Sequence, residues 1–145
     1  MRKFTFILVL MAALLAASQA WTADVGTAQY YYEQGDEHAK RGNLDQAITD
    51  YTRALEIDPR LASAYNNRGL AYGEKGQYDQ AITDLNRALE IDPKLASAYN
   101  NRAVAFYFKK SYDQAWEDIR KAQSLGYKVA PGFLDALRKA SGRGK

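Results

Sequence analysis

The sequence predicts an all-α solenoid: three antiparallel helix pairs closed by a C-terminal capping helix. Three observations carry that prediction. The chain repeats itself every 34 residues, and apolar residues recur at the three-and-four spacing of helical faces. Glycine or Asp-Pro stands where those faces end. Composition agrees: 145 residues, 47% hydrophobic and 26% charged, with three Pro and no Cys, give one domain's worth of core-forming chain. A collagen-like, disulfide-framed or fully disordered chain is excluded.

The first element is an address. Arg2 and Lys3 precede an uncharged apolar run, Phe4 to Ala17, and then Ser18-Gln19-Ala20. This is the layout of a secretory signal over residues 1–20, with cleavage expected between Ala20 and Trp21. As a helix the run spans roughly 21 Å, against roughly 30 Å of bilayer core, so an uncleaved anchor held by Trp21 is disfavoured. No later stretch is apolar enough to span a membrane. The expectation is an exported protein, periplasmic or secreted, with no membrane insertion after cleavage. Beyond the signal stand 18 Lys/Arg against 17 Asp/Glu, which argues against a nucleic-acid partner despite the formal charge of +3.

Residues 21–27 read as a linker, and the repeats then run over 28–61, 62–95 and 96–129. Aligned without gaps, 28–61 and 62–95 are identical at 18 of 34 positions. Asp45-Gln46-Ala47-Ile48-Thr49-Asp50 returns as Asp79-Gln80-Ala81-Ile82-Thr83-Asp84, and Leu61 to Arg68 returns unchanged as Leu95 to Arg102. Each unit reads as two helices. In the second, Ala64, Tyr65, Arg68, Gly69 and Tyr72 form one face, Gly76 breaks it, and Tyr78, Ala81, Ile82, Leu85, Ala88 and Leu89 form the next. Asp92-Pro93 then stops the second helix, because the residue before proline is pushed out of the helical region.

These spacings resemble tetratricopeptide repeats. That family sets a large residue, glycine, an aromatic, alanine, an aromatic, alanine and proline at fixed places in 34. Here they appear as Tyr65, Gly69, Tyr72, Ala81, Leu85, Ala88 and Pro93. The first repeat supplies Tyr31, Gly35, His38, Ala47, Tyr51, Ala54 and Pro59. The third supplies Tyr99, Ala103, Phe106, Ala115, Ile119 and Ala122, with Tyr127 in place of the proline. The resemblance implies a right-handed solenoid whose first helices line a concave groove while the second helices form an outer wall.

The third repeat departs from its predecessors. Lys110-Ser111 replaces the glycine turn, and Pro131 opens a further helix that caps the array over 130–140. Phe133, Leu134 and Leu137 form its buried side, and residues 141–145 read as a flexible tail.

Chemistry finds little support. His38 is the sole histidine, in a packing position, and with no Cys an ordinary zinc site cannot be assembled. Ser63 and Ser97 have no histidine in frame, and the glycines fall at turns or packing points rather than in a phosphate loop. Asp45, Asp79 and Asp113 sit where a carboxylate suits a helix N-terminus, and the other acidic residues read as single charges on helix faces. Neither a catalytic residue, a metal nor a cofactor is expected.

Function is therefore expected in the groove. Its residues, as the resemblance implies them, are Gln29, Tyr32, Glu33 and Asp36 in the first repeat. The second adds Ser63, Asn66, Asn67 and Leu70, and the third Ser97, Asn100, Asn101 and Val104. Asn67 and Asn101 resemble the asparagine ladder with which some tetratricopeptide proteins hold a peptide backbone, since a carboxamide both donates and accepts. The alternative is that Asn-Asn is a soluble helix filler. Tyr107 and Phe108 form either a pocket for a partner's apolar side chain or packing beneath the cap beside Trp116. A carboxylate clamp of the chaperone-docking type is not expected, because its basic places hold Tyr32, Ser97 and Asn101 and only Asn67 fits.

The expected function is a non-catalytic adaptor that binds an extended segment of another protein. The alternative rests on charge. Residues 24–94 hold 13 acidic and 8 basic side chains, whereas 95–145 hold 4 and 10, so copies could stack head to tail.

Overall fold

The computed structural model describes residues 27–143. Within them the chain forms seven α-helices and no strand: α1 (27–40), α2 (Leu44–Ile57), α3 (Ala62–Glu74), α4 (Tyr78–Ile91), α5 (Ala96–Phe108), α6 (Tyr112–Ser124) and α7 (Pro131–Ser141). The helices pair as α3 with α4 and α5 with α6, and each second helix also packs on the first helix of the next repeat. The result is an all-α solenoid. Residues 1–26, with the signal and its cleavage point, lie outside the described residues.

The turns inside each pair need a left-handed residue. Gly42 and Gly76 supply it at φ +77° and +76°. In the third repeat Lys110 adopts the same conformation at φ +61°, where a side chain costs roughly 1–2 kcal/mol. The period is strong enough to impose the turn on an unsuitable residue.

Small residues set how closely helices approach. A Cβ on Gly69 would stand 2.9 Å from Leu85 and 3.2 Å from the Ala81 carbonyl. On Gly35 it would meet the Tyr51 ring at 2.6 Å. Ala81, Leu85, Ala88 and Ala98 are buried in one cluster that joins the second repeat to the third. Leu85 and Ile119 are fully buried, each contributing about 1.5–3 kcal/mol by leaving water.

Polar ties reinforce the stack. Arg68 grips Asp84 through two bonds of 2.7 and 2.8 Å, and Arg102 grips Asp118 through two of 2.8 and 2.7 Å. Both aspartates are buried, so the reading of the acidic residues as single face charges is corrected for these two. Forked arginine pairing offsets the cost of removing a carboxylate from water. The first repeat has Gln34 in the arginine's place, and its Asp50 faces His38 at 3.7 Å and Arg53 at 3.6 Å instead. At the repeat boundaries Lys75 pairs with Asp45, and Lys109 with Asp79.

The cap continues the register. Shifted by 34, α5 falls on α7, and Arg143 falls on the place of Lys109. Leu137 is fully buried against Ala103, Ala115 and Ile119, with Phe133 and Leu134 half-buried beside it. Two boundaries differ from the sequence expectation. Thr27 already belongs to α1. Residues 141–143 are tied down rather than loose: Trp116 Nε1 donates to Ser141 Oγ at 3.1 Å, and Arg143 reaches Asp113 at 2.7 Å.

Candidate functional site

Two pockets, one repeat apart, open on the side formed by α1, α3 and α5. The first, about 250 Å³, lies between α3 and α5 and is walled by Leu70, Tyr78, Val104 and Phe108, with Glu74 and Asn101 at its edges. The second, about 360 Å³, lies between α1 and α3 at the equivalent register and is more polar, with Asp36, Lys40, Asn67 and Glu74 in its lining. Leu70 and Glu74 belong to both and form the wall between them.

The apolar pocket is built by ring stacking. Phe108 lies parallel to Tyr78, centroids 5.0 Å apart at 5°. Phe108 nevertheless keeps 54% of its surface exposed, and Leu70 keeps 42%. These are the large apolar groups that a ligand could cover. Tyr107 touches Phe108 edge to face, centroids 5.4 Å apart, but has a different setting. Its ring meets Tyr112 and, at 5.6 Å, Phe133 of α7, so it fills the space beneath the cap where a third equivalent pocket would lie. The two readings of the Tyr107-Phe108 pair thus divide: Phe108 lines the groove, and Tyr107 packs under the cap.

The polar pocket carries a connected network. Asn67 Nδ2 donates to Asp36 Oδ1 at 2.9 Å and to the Tyr32 hydroxyl at 3.1 Å. Tyr51 donates to the same Asp36 oxygen at 2.7 Å. Asn66 donates to Asn67 Oδ1, and Asn101 to Asn66 Oδ1 at 3.1 Å, so the network crosses from the first repeat to the third. Burial first, then the bond to Asp36, pushes the Tyr51 hydroxyl far above the ordinary phenol range. Burial and the Asp36 charge raise Tyr32 as well.

The other residues expected in the groove fall into place as follows. Ser63 is half-buried beside the Tyr32 hydroxyl. Asn66 is only 7% exposed and serves the internal network. Glu33 is exposed and accepts from Gln29 on its own helix. Ser97 and Asn100 are half-buried near the start of α5 and line neither pocket. Asn67 and Asn101 do stand at equivalent places, one in each pocket. The carboxamide hydrogens of Asn67 are already given to the protein, which fixes its orientation.

Glu74, Tyr78 and Lys40 were missed. A signal for two of them was present: among near-identical repeats, Lys40, Glu74 and Phe108 share one position and are chemically unlike. Packing positions repeat, whereas surface positions are free to differ. Among the described residues no group of three His, Cys, Asp or Glu could hold a metal ion, and no helix is long and apolar enough to cross a membrane. His38 Nδ1 is buried without a hydrogen-bond partner among them.

Comparison with known proteins identifies the repeats. A family model described as "TPR repeat" matches residues 35–76, and the model described as "Tetratricopeptide repeat" matches 62–95. The chain is a tetratricopeptide-repeat protein. No curated protein matches it by sequence. Solved structures similar to this tetratricopeptide-repeat protein include the first TPR of Spaghetti (RPAP3) bound to the HSP90 peptide SRMEEVD. It is 26% identical with a TM-score of 0.74, covering 81% of this chain and 93% of that one. The Arabidopsis OM64 TPR domain is 27% identical with a TM-score of 0.73, covering 83% and 95%. The TPR2B domain of yeast Sti1 in complex with pHsp70 is 27% identical with a TM-score of 0.71, covering 82% and 98%.

Proposed function

We propose that this tetratricopeptide-repeat protein is a non-catalytic interaction module of the cell envelope that holds an extended segment of another protein along α1, α3 and α5. The observation that carries the reading is the pair of register-equivalent pockets sharing Leu70 and Glu74. An extended chain has side chains at regular intervals, and a groove with pockets at regular intervals is its complement. Relatives of the same fold bind peptides, which supports the same use here. Asn101 gives one carboxamide hydrogen to Asn66 and keeps its oxygen and second hydrogen for a peptide backbone, at about 1 kcal/mol per bond, whereas both hydrogens of Asn67 are already engaged.

A photo-crosslinking amino acid at Leu70, compared with one at exposed Glu90 on α4, tests this. The Leu70 position is expected to give an adduct with a segment of another protein, competed by excess unlabelled chain, and the Glu90 position none. Equal adducts from both positions, or none from Leu70, would overturn the reading. Export is read from residues 1–20, and the mass of the mature protein should place its first residue at Trp21.

Self-association is the second reading, favoured by the acidic first half and basic second half. Sedimentation across concentration and salt separates the two: stacking through charged ends weakens with salt, whereas a monomer does not change mass.

A further inference from the structure

We infer that the groove selects a segment bearing a bulky aliphatic or aromatic side chain and, about three residues away, a lysine or arginine. The inference rests on the groove-binding reading and names the chemistry of its ligand.

The apolar half follows from the α3–α5 pocket. Leu70, Tyr78, Val104 and Phe108 enclose about 250 Å³, room for one large side chain, and Leu70 and Phe108 are among the large apolar groups the fold leaves exposed. Filling it removes that surface from water.

The basic half follows from the neighbouring pocket. Glu74 projects from the shared wall, is exposed, and has no ion pair or hydrogen bond among the described residues. Asp36 offers a second carboxylate, held by Tyr51 and Asn67. Lys40 is the one cation in that lining, and its ammonium is turned to Glu37 at 3.3 Å. A cationic side chain entering there meets two carboxylates; an acidic one is repelled. The spacing comes from helix packing. Adjacent first helices lie about 8–10 Å apart, and a segment in the polyproline II conformation advances about 3.1 Å per residue with every third side chain on one face, so the two side chains are about three residues apart. This electrostatic pattern is the reverse of one suited to the acidic peptide SRMEEVD that the Spaghetti domain holds.

The test is a positional-scanning array of octapeptides, acetylated and amidated so that no terminal charge competes, probed with the full chain. Wild type is expected to select Leu, Ile, Met or Phe at one position and Lys or Arg about three residues from it. Glu74→Gln should lose the basic preference, about ten-fold in affinity for the cognate peptide, and keep the apolar one. Phe108→Ala should do the converse. Glu74 is exposed and, among the described residues, unpaired, so its variant should melt with wild type. Phe108→Ala gives up the stacking on Tyr78, and a lowered but still cooperative circular dichroism melt shows that its fold is kept. Selection of Asp or Glu, or binding blocked by Leu70→Trp yet without a basic preference, overturns this inference and leaves the groove reading standing. Absence of binding to any peptide overturns both.

Discussion

The guanidinium of Arg143 lies 2.7 Å from the carboxylate of Asp113, 30 residues earlier. Lys109 reaches Asp79, and Lys75 reaches Asp45, at the same interval. The cap is thus seated by the same contact that seats each repeat. All three aspartates are largely exposed, so each pair contributes at most about 0.2–1 kcal/mol and is screened by salt. Their role is to fix register more than to add stability.

Removing the cap's anchor should cost far more. Leu137→Ala empties a fully buried site between Ala103 and Ile119. The expected loss is about 2–5 kcal/mol by urea unfolding, with the third repeat opening first. A loss under 1 kcal/mol would mean that α7 is seated mainly by its polar ends.

Two glycines at different places in the repeat should respond with opposite sign. Gly35→Ala forces a methyl against the buried Tyr51 ring at 2.6 Å and should destabilise by about 1–3 kcal/mol. Gly73→Ala meets its nearest atom, Ala81 Cβ, at 3.9 Å. It should gain up to about 1 kcal/mol from helix propensity. Thermal melts of the two variants decide it.

Lys110 occupies the left-handed corner that glycine takes in the first two repeats. Lys110→Gly should therefore raise the urea midpoint, by about 1 kcal/mol in stability. A drop in the midpoint would show that the lysine side chain contributes more than its backbone costs.

Alkaline pH should loosen the groove. Tyr51 and Tyr32 are raised above the usual phenol value of about 10, chiefly by burial. Below pH 10 both the folded and unfolded chains keep these protons, and the stability is fully present. Above it the unfolded chain releases protons that the folded chain retains, so stability falls as pH rises. A tyrosine that keeps its proton where the unfolded chain has lost it contributes a slope of at most about 1.4 kcal/mol per pH unit, and the buried Tyr51 is the main contributor. Urea midpoints from pH 8 to 11.5 should fall less steeply for Tyr51→Phe, from a baseline about 1 kcal/mol lower for the lost bond to Asp36. An unchanged slope would refute the assignment.

The period, the helix pairs and the cap were legible because each depends on spacing alone. Gly69, Ala81 and Ala88 announce close packing whatever the superhelix does. The groove was legible only in part. Sequence placed Asn67, Asn101, Leu70 and Val104 on the correct helices, since helix phase suffices for that. It could not show that Asn67 spends its hydrogens on Tyr32 and Asp36, because that bond depends on the angle between consecutive repeats. Arg68 and Asp84 recur as Arg102 and Asp118, 16 residues apart each time. That recurrence was visible, but a conserved interval becomes a buried pair only once the two helices are known to face each other.

The ties between repeats described above, from Asn67 to Tyr32 and from Arg143 to Asp113, span 35 residues or fewer. Folding therefore waits on no distant segment. Each helix pair can close on the one before it as soon as its own 34 residues are free, and loop-closure entropy does not grow with the length of the array. A chain delivered end-first, from a ribosome or through a narrow channel, can assemble in order of arrival. Among the ties described, the one at Arg143 forms last, and it closes the capping helix onto the third repeat.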